Sequence, residues 1–219
     1  MILAAGRGER MRPLTDNIPK PLLKIAGKAL IEYHIEALKK AGVSEIVINH
    51  AYLGHKLEAH LGNGEKYGVR ISYSAEGEAL ETGGGILKAL PILGDSPFIV
   101  VNGDVWCDYD FSKLPSEILG LAHLVMIPNP QHNLKGDFYY ANGMLSVSGN
   151  TKLTYSGIGV YSSKLFTNCQ QGRFPLAPLL RNAIEEGMIS AEVHQNLWMD
   201  VGTPERLDLL DKHFTALNN

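Results

Sequence analysis

The sequence predicts an α/β fold, a mostly parallel sheet with helices on both faces. Short apolar segments of strand length alternate with amphipathic segments of helix length through the first half of the chain. Parallel neighbours in such a series need crossover connections, which place helices on the faces of the sheet. The chain has 219 residues, 45% hydrophobic and 20% charged, which is enough to bury a core. We therefore expect one domain spanning residues 1–219.

The first half of the chain contains four predicted strands and three predicted helices. The strands are at 2–5, 45–49, 69–73 and 98–102, and the helices are at 30–40, 56–61 and 85–90. The first helix is the most regular, because one side of it is apolar and Gly42 follows its last turn. That side is formed by Leu30, Ile31, His34, Ile35 and Leu38.

The second half has a looser pattern. We expect a helix near Ser116, strands at 123–127, 155–161 and 192–198, and a helix at 178–186. Asn142-Gly143 predicts the turn of a hairpin over 138–147. A final helix begins at Pro204, with Thr203 as its N-cap.

A loop rich in glycine and arginine follows the first strand. Gly6 and Gly8 allow positive φ angles and close backbone approach, so main-chain N–H groups can surround an anion. The three arginines of this loop, at 7, 10 and 12, can donate paired hydrogen bonds to phosphate oxygens. Without further signals, solvated arginines on a turn would be the simpler interpretation.

A lysine between two prolines strengthens the phosphate interpretation. Pro19 and Pro21 fix φ on both sides of Lys20, so its ammonium group comes from a stiffened segment. The first 28 residues hold six Lys and Arg against two Asp and Glu, whereas the whole chain has a net charge of −3. We infer that a polyphosphate, and therefore a nucleoside triphosphate, binds near the N-terminal loop.

Two common phosphate-binding motifs do not match this loop. Met11 stands where the dinucleotide fingerprint requires its third glycine, and no Gly-Lys-Ser/Thr follows. Ligands of parallel sheets bind beyond the carboxyl ends of the strands. The loops after Ala5, Tyr73 and Val101 all lie at such ends, which places the glycine loop, Glu76 and Asp104 at one edge.

The chain resembles the sugar-nucleotidyltransferases, which join a nucleoside triphosphate to a sugar 1-phosphate and release pyrophosphate. The resemblance covers nearly the full length. Beyond residues 1–22 it rests on Asn49-His50-Ala51, Glu76-Gly77, residues 80–85, residues 101–104 and residues 198–205. It implies a Rossmann-like nucleotidyltransferase (GT-A-like) fold.

The resemblance also implies roles for particular residues. Asp104 and Asp200 are expected to hold Mg²⁺, a cation that prefers carboxylate and phosphate oxygens. The alternative for both is a turn cap. The expected catalytic residues are Arg10 on the β- and γ-phosphates, Lys20 on the α-phosphate, Asp104 and Asp200. The expected nucleotide-binding residues are Leu3, Ala4, Ala5, Gly6, Gly8, Glu9, Arg10, Lys20, Glu76, Gly77, Thr82 and Gly83.

Base and sugar are less clearly encoded. A carboxylate or carbonyl group near Glu76 or in the 80–83 turn could accept the N3–H of uracil, although guanine also offers ring N–H donors. Asn102 and Asp137 are candidate sugar-binding residues, with a solvated hairpin carboxylate as the alternative for Asp137. Many family members hold sugar hydroxyls with a Glu-Lys-Pro segment, which residues 143–148 lack.

These features together indicate the acceptor. The chain especially resembles the compact members that transfer UMP from UTP to N-acetylmuramic acid 1-phosphate in peptidoglycan recycling. The alternatives are guanylyl or thymidylyl transfer to a hexose or heptose 1-phosphate, and an inactive nucleotide-sugar sensor.

Composition excludes other classes of partner. The basic charge is confined to the glycine loop, so we expect no nucleic acid. No segment has the length of a membrane span, and no leader is expected. Cys107 and Cys169 are the two cysteines, and they do not imply a disulfide framework. A cytoplasmic enzyme fits these features.

Overall fold

The computed structural model describes residues 1–217, and its largest unit is a nine-stranded sheet. The helices are α1 (Leu30–Lys40), α2 (Gly54–Leu61), α3 (Glu81–Leu93), α4 (Ala177–Glu185) and α5 (Pro204–Leu217). The strands are β1 (Ile2–Leu3), β2 (Lys24–Ile25), β3 (Lys28–Ala29), β4 (Glu45–His50), β5 (Arg70–Ala75), β6 (Phe98–Asn102), β7 (Val105–Cys107), β8 (Ala122–Ile127), β9 (Phe138–Ala141), β10 (Met144–Ser146), β11 (Lys152–Tyr161), β12 (Ile189–Val193) and β13 (Trp198–Asp200).

The large sheet has the order β5-β4-β1-β6-β11-β8-β12-β10-β9. Its first four strands are mutually parallel, as the alternating pattern of the first half predicts. β11 runs antiparallel between β6 and β8, and β12 is parallel to β8. The α/β class is therefore confirmed, and the second half makes the sheet mixed. Two small antiparallel pairs, β13 with β7 and β2 with β3, lie outside it.

Apolar side chains of the large sheet enter two cores, one on each face. Along β4, Ile46 and Ile48 contribute to the core beneath α1 and α2, whereas Val47 contributes to the core shared with α3 and α4. This alternation follows from the two-residue period of a strand. Among the described residues no helix is long and apolar enough to cross a membrane.

A third, smaller core connects the two ends of the chain. Met11 from the glycine loop packs with Ile25, Leu30, Val201 and Leu210. Hence α5 and the strand that precedes it are attached to the N-terminal loop. This attachment brings Asp200 toward the edge where β1 ends.

Several predicted elements are confirmed. Helix α1 has the predicted bounds and begins with Glu32 accepting a hydrogen bond from the Ala29 N–H at 2.8 Å. β6 also has the predicted bounds. Asn142 and Gly143 both adopt positive φ in the predicted hairpin turn between β9 and β10. The N–H of Arg206 donates to Thr203 Oγ1 at 3.4 Å, so Thr203 caps α5.

Other predictions of elements were wrong. No helix forms near Ser116; the nearest helical turn is a 3-10 helix at Phe111–Lys113. The strand predicted at 192–198 is divided between β12 and β13, because the chain leaves the large sheet after Val193 to pair with β7. Helix α3 begins at Glu81 rather than at 85, since its three glycines pack closely against neighbouring groups.

The inner face of α1 carries a histidine, His34, that is 3% exposed. Its Nε2 atom is buried and has no hydrogen-bond partner among the described residues. Burial disfavours the charged imidazolium and lowers the pKa of His34 from 6.5 to about 4. The folded protein therefore keeps His34 neutral at neutral pH.

We predict that His34 makes the fold less stable in mild acid. In the unfolded chain the His34 imidazole binds a proton below pH 6.5, whereas in the folded chain it does so only below about pH 4. The free energy of unfolding therefore falls as the pH decreases through this range. The loss attributable to His34 is at most about 3 kcal/mol. Urea unfolding of His34→Gln should show a shallower decrease between pH 6.5 and about 4 than the wild type. His55→Gln, at an exposed position of α2, is the control. Equal slopes for wild type and His34→Gln would contradict the prediction.

Candidate active site

A cleft of about 330 Å³ lies at the carboxyl edge of the four parallel strands. The strands β1, β4 and β6 end together there, because Leu3 pairs with Asn49 on one side and with Asn102 on the other. The lining residues are Leu3, Ala4, Ala5, Gly6, Lys20, Pro21, Asn49, Ala79, Glu81, Thr82, Asn102, Gly103, Asp104 and Arg173. The sequence-predicted residues Leu3 to Gly6, Lys20, Thr82, Asn102 and Asp104 are thus brought together.

The glycine loop folds around Lys20. Gly8 adopts a φ of 71°, and a Cβ atom there would lie 3.2 Å from the Cβ of Lys20 and 3.1 Å from Cγ2 of Thr15. Thr15 Oγ1 donates to the Gly8 carbonyl at 2.9 Å. Lys20 is only 7% exposed, although its amino group reaches the cleft. Gly8 therefore supports the lysine rather than lining the cleft.

The charged side chains of the loop at positions 7, 9 and 10 are not among the residues that line the cleft. Glu9 is exposed, and its carboxylate pairs with Nε of Arg7 at 2.9 Å. The guanidinium of Arg7 stacks on the ring of Tyr52 at 3.9 Å. Arg10 extends toward Gly202, where a Cβ atom would lie 3.0 Å from Arg10 Nη2. Arg10 thus lies beside the Asp200 segment.

Asp104 and Asp200 are brought together by backbone pairing. β13 pairs with β7, and the N–H of Val201 donates to the Asp104 carbonyl at 2.8 Å. Lys20 Nζ donates to Asp104 Oδ2 at 2.7 Å, and the Asp104 side chain is 41% exposed. Arg206 Nη1 donates to Asp200 Oδ2 at 2.8 Å, while Asp200 Oδ1 is buried without a hydrogen-bond partner among the described residues.

These two carboxylates offer oxygen atoms that suit a hard divalent cation. The unpartnered Asp200 Oδ1 is a buried acceptor of the kind that a metal ion would satisfy. Within residues 1–217 no group of three or more His, Cys, Asp and Glu side chains could hold a metal ion. The protein therefore offers two carboxylates, and further ligands would have to be water or phosphate oxygens.

Glu76, which is expected among the nucleotide-binding residues, has a carboxylate that forms internal hydrogen bonds. It is buried, and both of its oxygens are used internally. Oε1 accepts from Asn49 Nδ2 at 2.6 Å, and Oε2 accepts from the Leu80 N–H at 2.8 Å. The neighbouring Gly77 is exposed with a φ of 75° and does not line the cleft.

The glycines that open α3 serve packing. A Cβ atom on Gly83 would lie 2.5 Å from the Phe174 ring, and one on Gly84 would lie 2.1 Å from the Gly172 carbonyl. Gly83, which is expected among the nucleotide-binding residues, packs against the segment 172–174 and is not among the residues that line the cleft. That contact positions Arg173, whose Nε pairs with Glu81 at 2.9 Å across the rim of the cleft.

The two candidate sugar-binding residues have different surroundings. Asn102 lines the cleft at the end of β6, close to Gly157, where a Cβ atom would lie 2.6 Å from Asn102 Nδ2. Asp137 does not line the cleft. Its oxygens accept hydrogen bonds from the Tyr155 N–H at 2.8 Å and from Asn133 Nδ2 at 3.0 Å, so it holds two segments together.

Sequence reasoning missed several residues of this region. Arg206 lies in the first turn of α5. Nothing in the sequence around it indicated that its side chain would pair with Asp200. Arg173 lies in a segment without regular structure. Asn49 was noted as part of a motif, yet the pattern gave it no role. His132, stacked on Trp198, lies 3.6 Å from Asp200 Oδ2.

Comparisons with known proteins agree with this geometry. Residues 1–128 match the family described as Nucleotidyl transferase. N-acetylmuramate alpha-1-phosphate uridylyltransferase of Neisseria meningitidis serogroup B is 51% identical over 94% of each chain, and the enzyme of that name from Caulobacter vibrioides is 34% identical over 94% of this chain and 92% of its own. The structure of HddC from Yersinia pseudotuberculosis, complexed with GMP-PN, superimposes with a TM-score of 0.81 over 97% of each chain at 24% identity. This chain is an enzyme that belongs to the nucleotidyl transferase family.

Proposed function

We propose that the protein transfers UMP from UTP to N-acetylmuramic acid 1-phosphate, giving UDP-N-acetylmuramic acid and pyrophosphate. The observation that carries the proposal is the 51% identity, over 94% of each chain, to a protein named for that acceptor and that nucleotide. The cleft is consistent with it, since one lysine and one aspartate meet where a backbone loop can surround phosphates. We assign the reaction to cytoplasmic peptidoglycan recycling.

The nucleotide is proposed to lie across the cleft. Backbone groups of residues 3–6 and the amino group of Lys20 face the triphosphate, and Ala79, Glu81 and Thr82 form the opposite wall for the uracil. Glu76 supports this wall from below and does not contact the base. Arg10, near Gly202, is available for the β- and γ-phosphates beyond the cleft.

Members of this family generally use divalent metal ions. We propose Mg²⁺, held by Asp104 and Asp200, because the N–H of Val201, the residue after Asp200, donates to the Asp104 carbonyl, and because Asp200 Oδ1 has no protein partner among the described residues. When bound, the ion would neutralise phosphate charge. Arg206 fixes the rotamer of Asp200 through its bond to Oδ2.

The acceptor needs no general base. A sugar 1-phosphate has a second pKa of about 6, as other phosphate monoesters do, and is already an oxyanion at neutral pH. It attacks the α-phosphorus in line, and the bond to the bridging oxygen of pyrophosphate breaks. Lys20 would stabilise the charge that accumulates on the α-phosphate, while Arg10 would hold the departing pyrophosphate.

The acceptor side of the site lacks a hexose clamp. Residues 143–148, where many family members carry the Glu-Lys-Pro segment, include strand β10 and contain no carboxylate. Leu145 of this strand is buried in the core. A site without a clamp for sugar hydroxyls would accept an N-acetyl, lactyl-substituted ring without leaving a buried carboxylate unpaired.

A matrix of substrates tests the proposal. Purified protein is incubated with Mg²⁺, one of UTP, GTP or dTTP, and one of N-acetylmuramic acid, glucose or mannose 1-phosphate, and products are identified by mass. We expect the highest kcat/KM for UTP with N-acetylmuramic acid 1-phosphate. Equal or faster turnover of glucose or mannose 1-phosphate would contradict the acceptor, and absence of pyrophosphate release in every mixture would favour a sensor.

Removing either proposed metal ligand should abolish most turnover. Asp104→Asn and Asp200→Asn keep size and shape but lose an anionic ligand, so we expect kcat to fall about 100-fold or more. Calorimetric titration with Mg²⁺ and UTP should show weaker metal binding in both variants. Asp95→Asn, at an exposed loop position, should behave as wild type. Normal turnover of either ligand variant at saturating Mg²⁺ would identify its carboxylate as a structural cap.

Lys20 should affect turnover more than affinity. A cation beside the reacting phosphorus matters most as charge develops in the transition state, so Lys20→Ala should lower kcat about 100-fold and raise the KM for UTP much less. Lys24→Ala, exposed on β2, is the matched control. The role assigned to Lys20 would be refuted by an unchanged kcat with only a raised KM.

A further inference from the structure

A buried pair of polar side chains crosses the floor of the cleft. Asn49 is 2% exposed and Glu76 is 7% exposed. Asn49 Oδ1 accepts from the Ala4 N–H at 2.9 Å, and Asn49 Nδ2 donates to Glu76 Oε1 at 2.6 Å. Glu76 Oε2 accepts from the Leu80 N–H at 2.8 Å. We call this chain of three hydrogen bonds the Asn49–Glu76 link.

The link joins the two walls of the cleft. Ala4 begins the segment 4–6 that faces the triphosphate, which we call the phosphate loop. Leu80 stands immediately before α3, beside the opposite wall of Ala79, Glu81 and Thr82, which we call the base wall. Asn49 is near the end of β4, between Leu3 of β1 and Ser74 of β5. Its amide therefore lies under the phosphate loop and reaches sideways to the loop that follows β5.

Burying the Glu76 carboxylate in this position costs free energy. Within the described part of the chain, this carboxylate forms no ion pair with a lysine, arginine or histidine. Its charge is stabilised by two hydrogen bonds and by the start of α3, whose N–H groups favour a negative charge. Gly85 leaves room for the link, since a Cβ atom there would lie 2.5 Å from Glu76 Oε1 and 2.8 Å from Asn49 Nδ2.

We propose that Asn49 and Glu76 are positioning residues that fix the spacing between the phosphate loop and the base wall. A nucleoside triphosphate spans both walls, so it binds tightly only when their separation is set before it arrives. An inorganic polyphosphate touches the phosphate loop alone and gains nothing from the link. The inference rests on the proposed function, because it assumes that UTP occupies this cleft.

Exchanging the two functional groups provides the test. In Asn49→Asp a carboxylate faces Glu76, and in Glu76→Gln an amide N–H₂ group opposes either Asn49 Nδ2 or the Leu80 N–H. The double variant Asn49→Asp/Glu76→Gln restores every bond. Its new carboxylate accepts from the Ala4 N–H and from the new amide N–H₂ group, and the carbonyl oxygen of that amide accepts from the Leu80 N–H. Total charge is unchanged in the double variant. Glu65→Gln, at an exposed position that begins a 3-10 helix, controls for loss of one charge.

The readouts are kcat, the KM for UTP and the inhibition constant of tripolyphosphate, measured where circular dichroism shows each variant folded. We expect each single variant to raise the KM for UTP about 10-fold and to change tripolyphosphate inhibition less than about twofold, with most UTP affinity recovered in the double variant. If a single variant does not fold, Asn49→Ala replaces it.

Three outcomes would overturn the inference. The first is single variants with wild-type KM. The second is equal weakening of UTP and tripolyphosphate, as a general loss of structure would cause. The third is a double variant no better than the singles. If the wild type itself fails to turn over UTP with any sugar 1-phosphate, the proposed function fails instead, so the two failures are distinguishable.

Discussion

The position of β1 between β4 and β6 is the constraint on which the site depends. This strand has only two residues, yet Ile2 and Leu3 pair with both neighbours in parallel register. Parallel strands end at one edge of a sheet, and ligands bind beyond that edge. The pairing therefore places the loop after Leu3 between two asparagines, Asn49 and Asn102. Asp104 lies in the turn that follows Asn102. A shift in register would separate these groups.

Tight contacts at glycine hold the surrounding loops against this edge. Gly103 N–H donates to the Leu3 carbonyl at 2.8 Å, and a Cβ atom there would lie 2.6 Å from the same oxygen. Gly83 and Gly84 allow the segment 172–174 to approach α3 closely. At these positions the absence of a side chain matters for packing rather than for backbone freedom. Close backbone contacts at these glycines consequently hold the loops that carry the polar side chains of the cleft.

The local features of the fold could be predicted from sequence. Helix α1 has a continuous apolar side and a following glycine, and the β9–β10 turn has the Asn-Gly pair that a tight hairpin requires. The fate of residues 192–198 could not be predicted, because the division into β12 and β13 depends on which distant strands they meet. The antiparallel position of β11 between β6 and β8 likewise depends on tertiary contacts and not on its local sequence.

Site residues were predictable to the extent that their roles are local. The glycine loop, Lys20 and Asp104 are recognisable by residue type and by their place after strands, and the structure places Lys20 and Asp104 in contact. Glu76 was placed near the base by the family resemblance, with its carboxylate as one possible acceptor for the N3–H of uracil. Glu76 accepts one of its two hydrogen bonds from Asn49, and Asp137 accepts one of its two from Tyr155, partners that lie 27 and 18 residues away along the chain. No periodic pattern reveals such partners.

The placement of β11 has a consequence for the order of folding during synthesis. β6 and β8 are separated in the sheet by β11, which is made later, and β8 has β11 and β12 as its neighbours. As the chain leaves the ribosome, the first four parallel strands can assemble, but β8 stays an unpaired strand until residues 152–161 emerge. Its five buried apolar positions are exposed for that interval. Nascent chains whose synthesis pauses after β8 and before β11 would therefore expose apolar surface of the kind that chaperones bind.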